Sequence, residues 1–429
     1  MKTRTMLFGP LLALFLAASG GCIGGSSAAA AVPAVTTPTP SPTPPTTGVY
    51  PSYNPNPTPA DRTGMSHNAQ QIASSIHIGF NIGNTMEASG GETAWGNPLI
   101  TNDLIQAAKK AGFNAIRLPV SWDQYADKTT GKISPSWLAR VKQVVQYCVD
   151  NDMYVLVNIH WDGGWLENNV TPAKKDAVNA RQKAYWEQIA TTLRDFDEHV
   201  MFGSANEPAT GNLQSTDTET LKAAVAVLKS YHQTFVDAVR STGGRNAYRV
   251  LVVQGPETNI DLMVKYMPTL PTDKVAGRMM AEIHFYAPFN FALMTKDETW
   301  GSQAYYWGAG NHSTTDTAHN PTWGEESYVD AQFASLKTTF VDKGIPVLLG
   351  EFAAQCRNNL TGDALALHLQ SRNYYHTYVV RKAVANGVLP FFWDIGAPDD
   401  QSGSIFDRRT YQVRGQATLD ALMAGLSAH

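Results

Sequence analysis

From residue 61 onward the chain alternates two kinds of hydrophobic pattern. Nearly continuous apolar runs, rich in β-branched and aromatic residues, lie at 76–82, 115–120, 154–160, 200–206, 250–255, 279–286, 346–352 and 389–395. Between several of them the apolar positions recur at three- and four-residue spacing. That spacing predicts amphipathic helices over 103–111, 135–149, 181–196, 220–241, 328–341 and 365–386. Strands without polar alternation are covered on both faces, as in parallel sheets wrapped by helices. Eight such units predict a protein of the α/β class, a (β/α)8 TIM barrel. An open doubly wound sheet is the alternative, but no Gly-rich phosphate turn follows the first strand.

The N-terminal sixth has neither pattern. Residues 5–60 contain no Lys, Arg, Asp or Glu, and ten of the 24 prolines fall between Pro33 and Pro59. Such a segment buries too little apolar surface to offset the entropy of ordering, and proline keeps it extended. Before it, Lys2 and Arg4 precede an apolar run from Leu11 to Ala18, too short to span a bilayer, followed by Ser19-Gly20-Gly21-Cys22. The expected organisation is a signal peptide over 1–21, a Pro/Thr/Ser-rich linker over 22–62 and one catalytic barrel over 63–429. Cleavage before Cys22 makes the protein a secreted lipoprotein tethered to the cell surface through that cysteine; ordinary cleavage near Ala28–Ala31 is the rival. The membrane enters only through this anchor, and the protein is expected to be a monomer.

Composition narrows the chemistry. A net charge of −4 without a basic cluster argues against nucleic acid as a partner. Ten tryptophans suit the stacking of flat sugar faces, although large cores use tryptophan too. The cysteines have no metal-type spacing. In a barrel the chemistry gathers at the carboxyl ends of the strands. Here those ends carry Asn81 and Asn84, Arg117, His160-Trp161-Asp162, Asn206-Glu207-Pro208, His284 and Tyr286, Glu351, and Trp393-Asp394. Unpaired burial of such groups costs roughly 2–7 kcal/mol each, so their repetition points to a site. Two carboxylates from strands four and seven, with no metal motif, suit glycoside hydrolysis, which needs one acid and one nucleophile or base.

The ordered set Phe80-Asn81-Ile82-Gly83-Asn84-Thr85, Ile116-Arg117-Leu118-Pro119, Asn158-Ile159-His160, Asn206-Glu207-Pro208, His284-Phe285-Tyr286 and Gly350-Glu351-Phe352 resembles glycoside hydrolase family 5, over essentially all of residues 65–429. The resemblance implies a retaining endo-β-1,4-glucanase without cofactor or metal, acting on β-glucan polysaccharide or oligosaccharide. The same machinery on xyloglucan, mixed-linkage glucan or mannan, and a non-catalytic glycan-binding surface protein, are the alternatives. It implies that Glu207 is the acid/base, Glu351 the nucleophile, and their carboxyls about 5–5.5 Å apart. Glu207 is expected to hold its proton by burial, and Glu351 to be kept ionised by Arg117 and Tyr286. Asn206, His160 and His284 join them as catalytic support. Trp393 becomes a stacking platform, with Asn84, Trp161, Trp165 and Trp307 as substrate-binding residues. Asp162 and Asp394 are expected to anchor loops. The aromatic loop over 287–326 is expected to wall the glycan cleft. Gly203, where many relatives carry an acid, and Trp161, where many carry histidine, depart from the family pattern.

Overall fold

The computed structural model describes residues 50–208, 217–396 and 403–427. The signal segment, Cys22 and the linker up to residue 49 lie outside the described residues. Eight parallel strands close into a barrel: β1 (Gly79–Ile82), β2 (Ala115–Leu118), β3 (Tyr154–Asn158), β4 (Val200–Gly203), β5 (Leu251–Gln254), β6 (Met279–His284), β7 (Val347–Phe352) and β8 (Val388–Asp394). Each expected strand is present, and most are shorter at their carboxyl ends. The residues beyond those ends turn outward to carry the site. β8 pairs with both β7 and β1, which closes the sheet on itself and leaves no free edge.

Alternation along the strands divides the barrel interior into layers. Ala115, Leu156, Met201, Val252, Met280, Leu348 and Phe391 form a lower apolar layer, sealed beneath by Ala69, Ile72 and Ile76. Ala69 and Ile72 come from the helix Ala69–Ser75, which a capping box between Asn68 and Gln71 starts cleanly. Two residues further along four of these strands, on the same face, stand Arg117, Asn158, Gln254 and Glu282, joined by Asn81 from β1, all buried. The floor of the site is therefore a polar layer resting on an apolar plug. The larger apolar cluster lies outside the sheet, where the strands' other faces meet the helices.

The six expected helices appear as Asn102–Lys110, Pro135–Asp150, Lys175–Thr192, Thr218–Ser241, Glu326–Thr339 and Gly362–Ala385. A further helix, Gln416–Leu426, packs against Gly362–Ala385. Among the described residues no helix is long and apolar enough to cross a membrane.

The boundary expected at residue 62 moves. Residues 50–62 lie along the barrel rather than forming the end of a linker. The Tyr53 amide donates to Glu187 at 2.6 Å, Asn54 donates to the Ser241 carbonyl at 2.9 Å, and the Tyr50 hydroxyl accepts from Arg181 at 3.2 Å. Thr58–Ala60 then pairs in parallel with Gly243–Gly244. Backbone hydrogen bonds need neither charge nor large side chains, so a Pro- and Thr-rich segment can make them at a sheet edge.

Candidate active site

The polar layer and the strand ends converge on Arg117. Its side chain is fully buried and spends its donors on four partners: Glu282 at 2.8 Å, Glu351 at 2.8 Å, Asn206 at 2.8 Å and Asn81 at 3.0 Å. Burial alone would weaken its hold on the proton, but Glu282 and Glu351 outweigh that and raise its pKa. A planar fork can serve several acceptors at fixed angles, which an ammonium cannot.

Glu207 and Glu351 face one another across the barrel mouth. A carboxylate oxygen of each lies, with a ring nitrogen of His284, in a group whose members are all within 4.8 Å of one another. Nδ1 of His284 is 2.8 Å from Glu207 Oε1 and 3.6 Å from Glu351 Oε2. The Tyr286 hydroxyl donates to Glu351 Oε2 at 2.9 Å. Glu351 is the more buried of the pair, its side chain 7% exposed against 29% for Glu207. Burial was expected to act on Glu207; it acts chiefly on Glu351. Desolvation raises the Glu351 carboxyl, His284 and Arg117 pull it down, the Glu207 charge pushes it up and Tyr286 lowers it again. The expected contacts from Arg117 and Tyr286 are present, but they offset burial rather than exceed it.

Burial disfavours the charged form of His284, yet the carboxylates of Glu351, Glu207 and Glu282 around it raise its pKa to about 9. His160 goes the other way: burial, reinforced by the positive charges of Arg117 and His284, drives its pKa well below the ordinary value. Its ring lies parallel to that of Trp393, 6° between planes with centroids 5.8 Å apart, and Asn158 Nδ2 is 3.3 Å from its Nδ1. Asn84 has a left-handed backbone (φ 55°), and its amide, with that of Thr85, donates to the buried Glu87 carboxylate.

Glu207, His284 and Glu351 are also the one group, among the described residues, whose ligand atoms could meet at a metal. The arrangement suits a metal poorly. His284 is held as an imidazolium, and Arg117 already compensates Glu351, so an added cation would sit against two others.

Other expected residues separate into those at the mouth and those elsewhere. Trp161 is 42% exposed beside His160, as a cleft residue requires. Trp165 is not a cleft residue: it is buried, edge-on to Tyr185 and under the Arg181 guanidinium. Trp307 is corrected more strongly. It is fully buried, donates to the Gly324 carbonyl at 3.0 Å and packs among Tyr374, Tyr375 and Tyr378. Much of its loop folds onto the protein, tied by Arg357, which donates to the carbonyls of Asn290, Met294 and Ala304. Trp300 is the exception on that loop, 57% exposed. Asp162 accepts from the backbone amides of Trp122, Asp123 and Gln124, and Asp394 from those of Gly396 and Ile405, so both anchor loops.

Glu282 and Gln254 were not anticipated. Gln254 donates to Glu282 at 2.6 Å and accepts from the Ala205 amide at 3.0 Å. A signal for Glu282 existed: a charge inside an apolar strand, two residues before His284 and so on the same face. Gly203, one of the two departures from the family pattern, lies beside Gln254; a Cβ there would stand 3.1 Å from Asn158 Cβ and 3.3 Å from Gln254 Nε2.

Comparison with known proteins agrees with this geometry. The family model Cellulase (glycosyl hydrolase family 5) matches residues 80–399. The xyloglucan-specific endo-beta-1,4-glucanase of Bacteroides ovatus is 38% identical over 382 residues, covering 86% of this chain and 72% of its own. Endoglucanase A of Paenibacillus barcinonensis is 33% identical over 403 residues, covering 89% and 95%. Among solved structures, the Bacteroides ovatus xyloglucanase bound to a XXXG heptasaccharide superposes with a TM-score of 0.81 at 35% identity, over 88% of this chain and 80% of that one. A xyloglucan-specific β-1,4-glucanase from a ruminal metagenomic library, bound to XXLG, gives 0.78 at 39% identity, over 84% and 97%. The chain belongs to glycosyl hydrolase family 5.

Proposed function

We propose that the protein is a retaining endo-β-1,4-glucanase in which Glu207 is the acid/base and Glu351 the nucleophile. The observation that carries this is the pair of carboxylates, one just beyond β4 and one in β7, with an oxygen of each within 4.8 Å of the other and Arg117 bonded to Glu351. That spacing suits direct attack on the sugar and leaves too little room for the intervening water of an inverting enzyme. Glu351 attacks the anomeric carbon while Glu207 gives its proton to the departing oxygen. A glycosyl–Glu351 ester results, and Glu207 then deprotonates the water that cleaves it. The Nδ1–H of His284 on Oε1 of Glu207 leaves the other oxygen free to carry the transferred proton. Asn206 holds the sugar 2-hydroxyl, and Trp393, parallel to His160, supports the sugar ring at the cleavage point.

Xyloglucan is the second reading, favoured by the names of relatives at 38% and 39% identity. Both readings share the bond cleaved. Initial rates on carboxymethylcellulose, xyloglucan, lichenan and mannan separate them, and proton NMR of the first product reads the anomer. A β-anomer formed first is expected, and an α-anomer would sink the mechanism. Glu351→Ala is expected to lower kcat on every substrate by about 10⁴-fold or more, in line with losing a nucleophile.

The localisation reading is a secreted protein tethered through a lipid on Cys22. Mass analysis of the mature N-terminus tests it, and an unlipidated start near Ala31 would overturn it.

A further inference from the structure

β6 carries a buried carboxylate for which the proposed reaction has no chemical step. Glu282 is fully buried and both its oxygens are engaged. Oε1 accepts from Arg117 Nε at 2.8 Å and lies 3.4 Å from His284 Nε2, while Oε2 accepts from Gln254 at 2.6 Å. Arg117 in turn bonds Glu351 and Asn206, and His284 bonds Glu207. One carboxylate therefore touches both cations that orient the two reactive carboxylates. The neighbouring chain makes room for it. A Cβ on Gly350, the residue before Glu351, would stand 2.1 Å from Glu282 Oε1, so any side chain there would displace it.

We propose that Glu282 is a positioning residue of the active site: by bridging Arg117 and His284 beneath the floor, it fixes the guanidinium fork on Glu351 and Asn206 and holds His284 as the charged donor to Glu207. The proposal rests on the reading of Glu207 and Glu351 as the reacting pair.

The charges around His284 explain why a third carboxylate is required. Facing the ring are Glu207 from the end of β4, Glu351 from β7, Tyr286 beyond β6, Arg117 from β2, and His160 beyond β3. Arg117 Nη2 approaches His284 Nε2 to 3.4 Å, so with the ring charged two cations face each other there. Glu282 is the acid on that side of the ring, whereas Glu207 and Glu351 lie on the Nδ1 side. Removing its charge leaves the imidazolium facing the guanidinium without a counter-ion, so the ring loses its proton more readily. It also weakens the hold on the Nε arm of Arg117, whose acceptor is no longer charged, and a shift of the fork moves the nucleophile.

The test is Glu282→Gln, which keeps the shape and removes the charge. The protein carries 11 histidines, so His284 is identified in spectra of ¹³Cε1-histidine-labelled enzyme by its loss in His284→Asn. In the wild type the His284 signal should stay constant from about pH 5.5 to about pH 8, outside the ordinary histidine range. In Glu282→Gln it should titrate inside that window. kcat should fall about 10- to 100-fold, as small misplacements of reacting groups do, with KM changed less than about threefold. A His284 titration curve identical in the two proteins, or an unchanged kcat, would overturn the proposal. So would a wild-type His284 that titrates near pH 6.5, a result that decides the matter even if the variant does not fold. The NMR readout needs no substrate. Inactivity of the wild type on every β-glucan, with His284 behaving as expected, would fell the functional reading and with it the positioning role, leaving only the coupling of Glu282 to His284; an active enzyme with an unaltered His284 titration would fell this proposal alone.

Discussion

Glu167 offers a test of the electrostatics that is independent of catalysis. It sits in the loop after β3, fully buried, and neither carboxylate oxygen has a hydrogen-bond partner among the described residues. The backbone amides of Glu167 and Leu166 lie near enough to lower its pKa somewhat but not in bonding geometry. Burial dominates, the charges of Asp162 and Glu207 add to it, and the pKa rises from 4.5 to about 8. Between pH 4.5 and 8 the folded protein then holds a proton that the unfolded chain has released. Stability therefore falls as pH rises through that window, and the full penalty is present above pH 8. At 1.36 kcal/mol per tenfold change in proton affinity, that rise in pKa sets an upper limit of about 5 kcal/mol. Glu167→Gln cannot titrate, so the variant should escape this slope. With an unfolding entropy near 2.1 cal/mol/K per residue over about 380 residues, 5 kcal/mol corresponds to roughly 6 °C in Tm. Thermal melts of both proteins at about pH 5 and about pH 8.5 provide the measurement. The buried amide lowers both of the variant's melting points alike, so the quantity that matters is the difference between pH values. Melting curves that move in parallel for the two proteins would refute the argument.

Three further outcomes follow from contacts described above. Trp307→Ala should cost about 3–5 kcal/mol in urea or thermal unfolding, as truncation of a buried aromatic does, while KM for polysaccharide stays within a factor of about two; a large KM effect would return Trp307 to the cleft. Arg117→Lys should lower kcat by about 100-fold or more and destabilise the fold by about 3 kcal/mol, because one ammonium cannot satisfy Glu282, Glu351, Asn206 and Asn81 together; near-wild-type turnover would show that the fork geometry does not matter. A chain beginning at Arg62 should melt several degrees below one beginning at Tyr50, with kcat at 25 °C unchanged, since the lost strap bonds Glu187 and Ser241 on the barrel's flank; equal melting points would restore residues 50–61 to the linker.

Much of this molecule is legible in its sequence because the barrel repeats one rule eight times. A strand buried on both faces reads as an apolar run, and its polar end betrays the mouth. Glu207, Glu351, Arg117 and Tyr286 come together for that reason. Glu282 and Gln254 are not legible by that rule. They lie in the polar layer below, where a charge in an apolar run passes for an irregularity. Trp165 and Trp307 were misplaced for a different reason. Both are loop tryptophans, and whether such a ring faces the cleft or the protein depends on distant partners, for Trp307 the tyrosines of helix Gly362–Ala385. The strap over residues 50–62 is invisible because its composition continues that of the linker, while its attachment combines backbone amides with side chains, such as those of Asn54 and Tyr50, whose partners lie far away in sequence.

The barrel keeps its buried charge network and its exposed aromatic rings on different kinds of scaffold. Arg117, Glu282, His284 and Glu351 belong to strands, whereas the exposed tryptophans Trp95, Trp161 and Trp300 stand on the loops after β1, β3 and β6. A directed-evolution campaign therefore has a natural seam to cut along. Exchanging the parts of those three loops that lie beyond His160 and Tyr286 recombines the exposed aromatic surfaces while Arg117, Glu207, Glu282, His284 and Glu351 are inherited intact, so libraries confined to them should stay folded and catalytically competent at a far higher frequency than libraries spread over the whole chain.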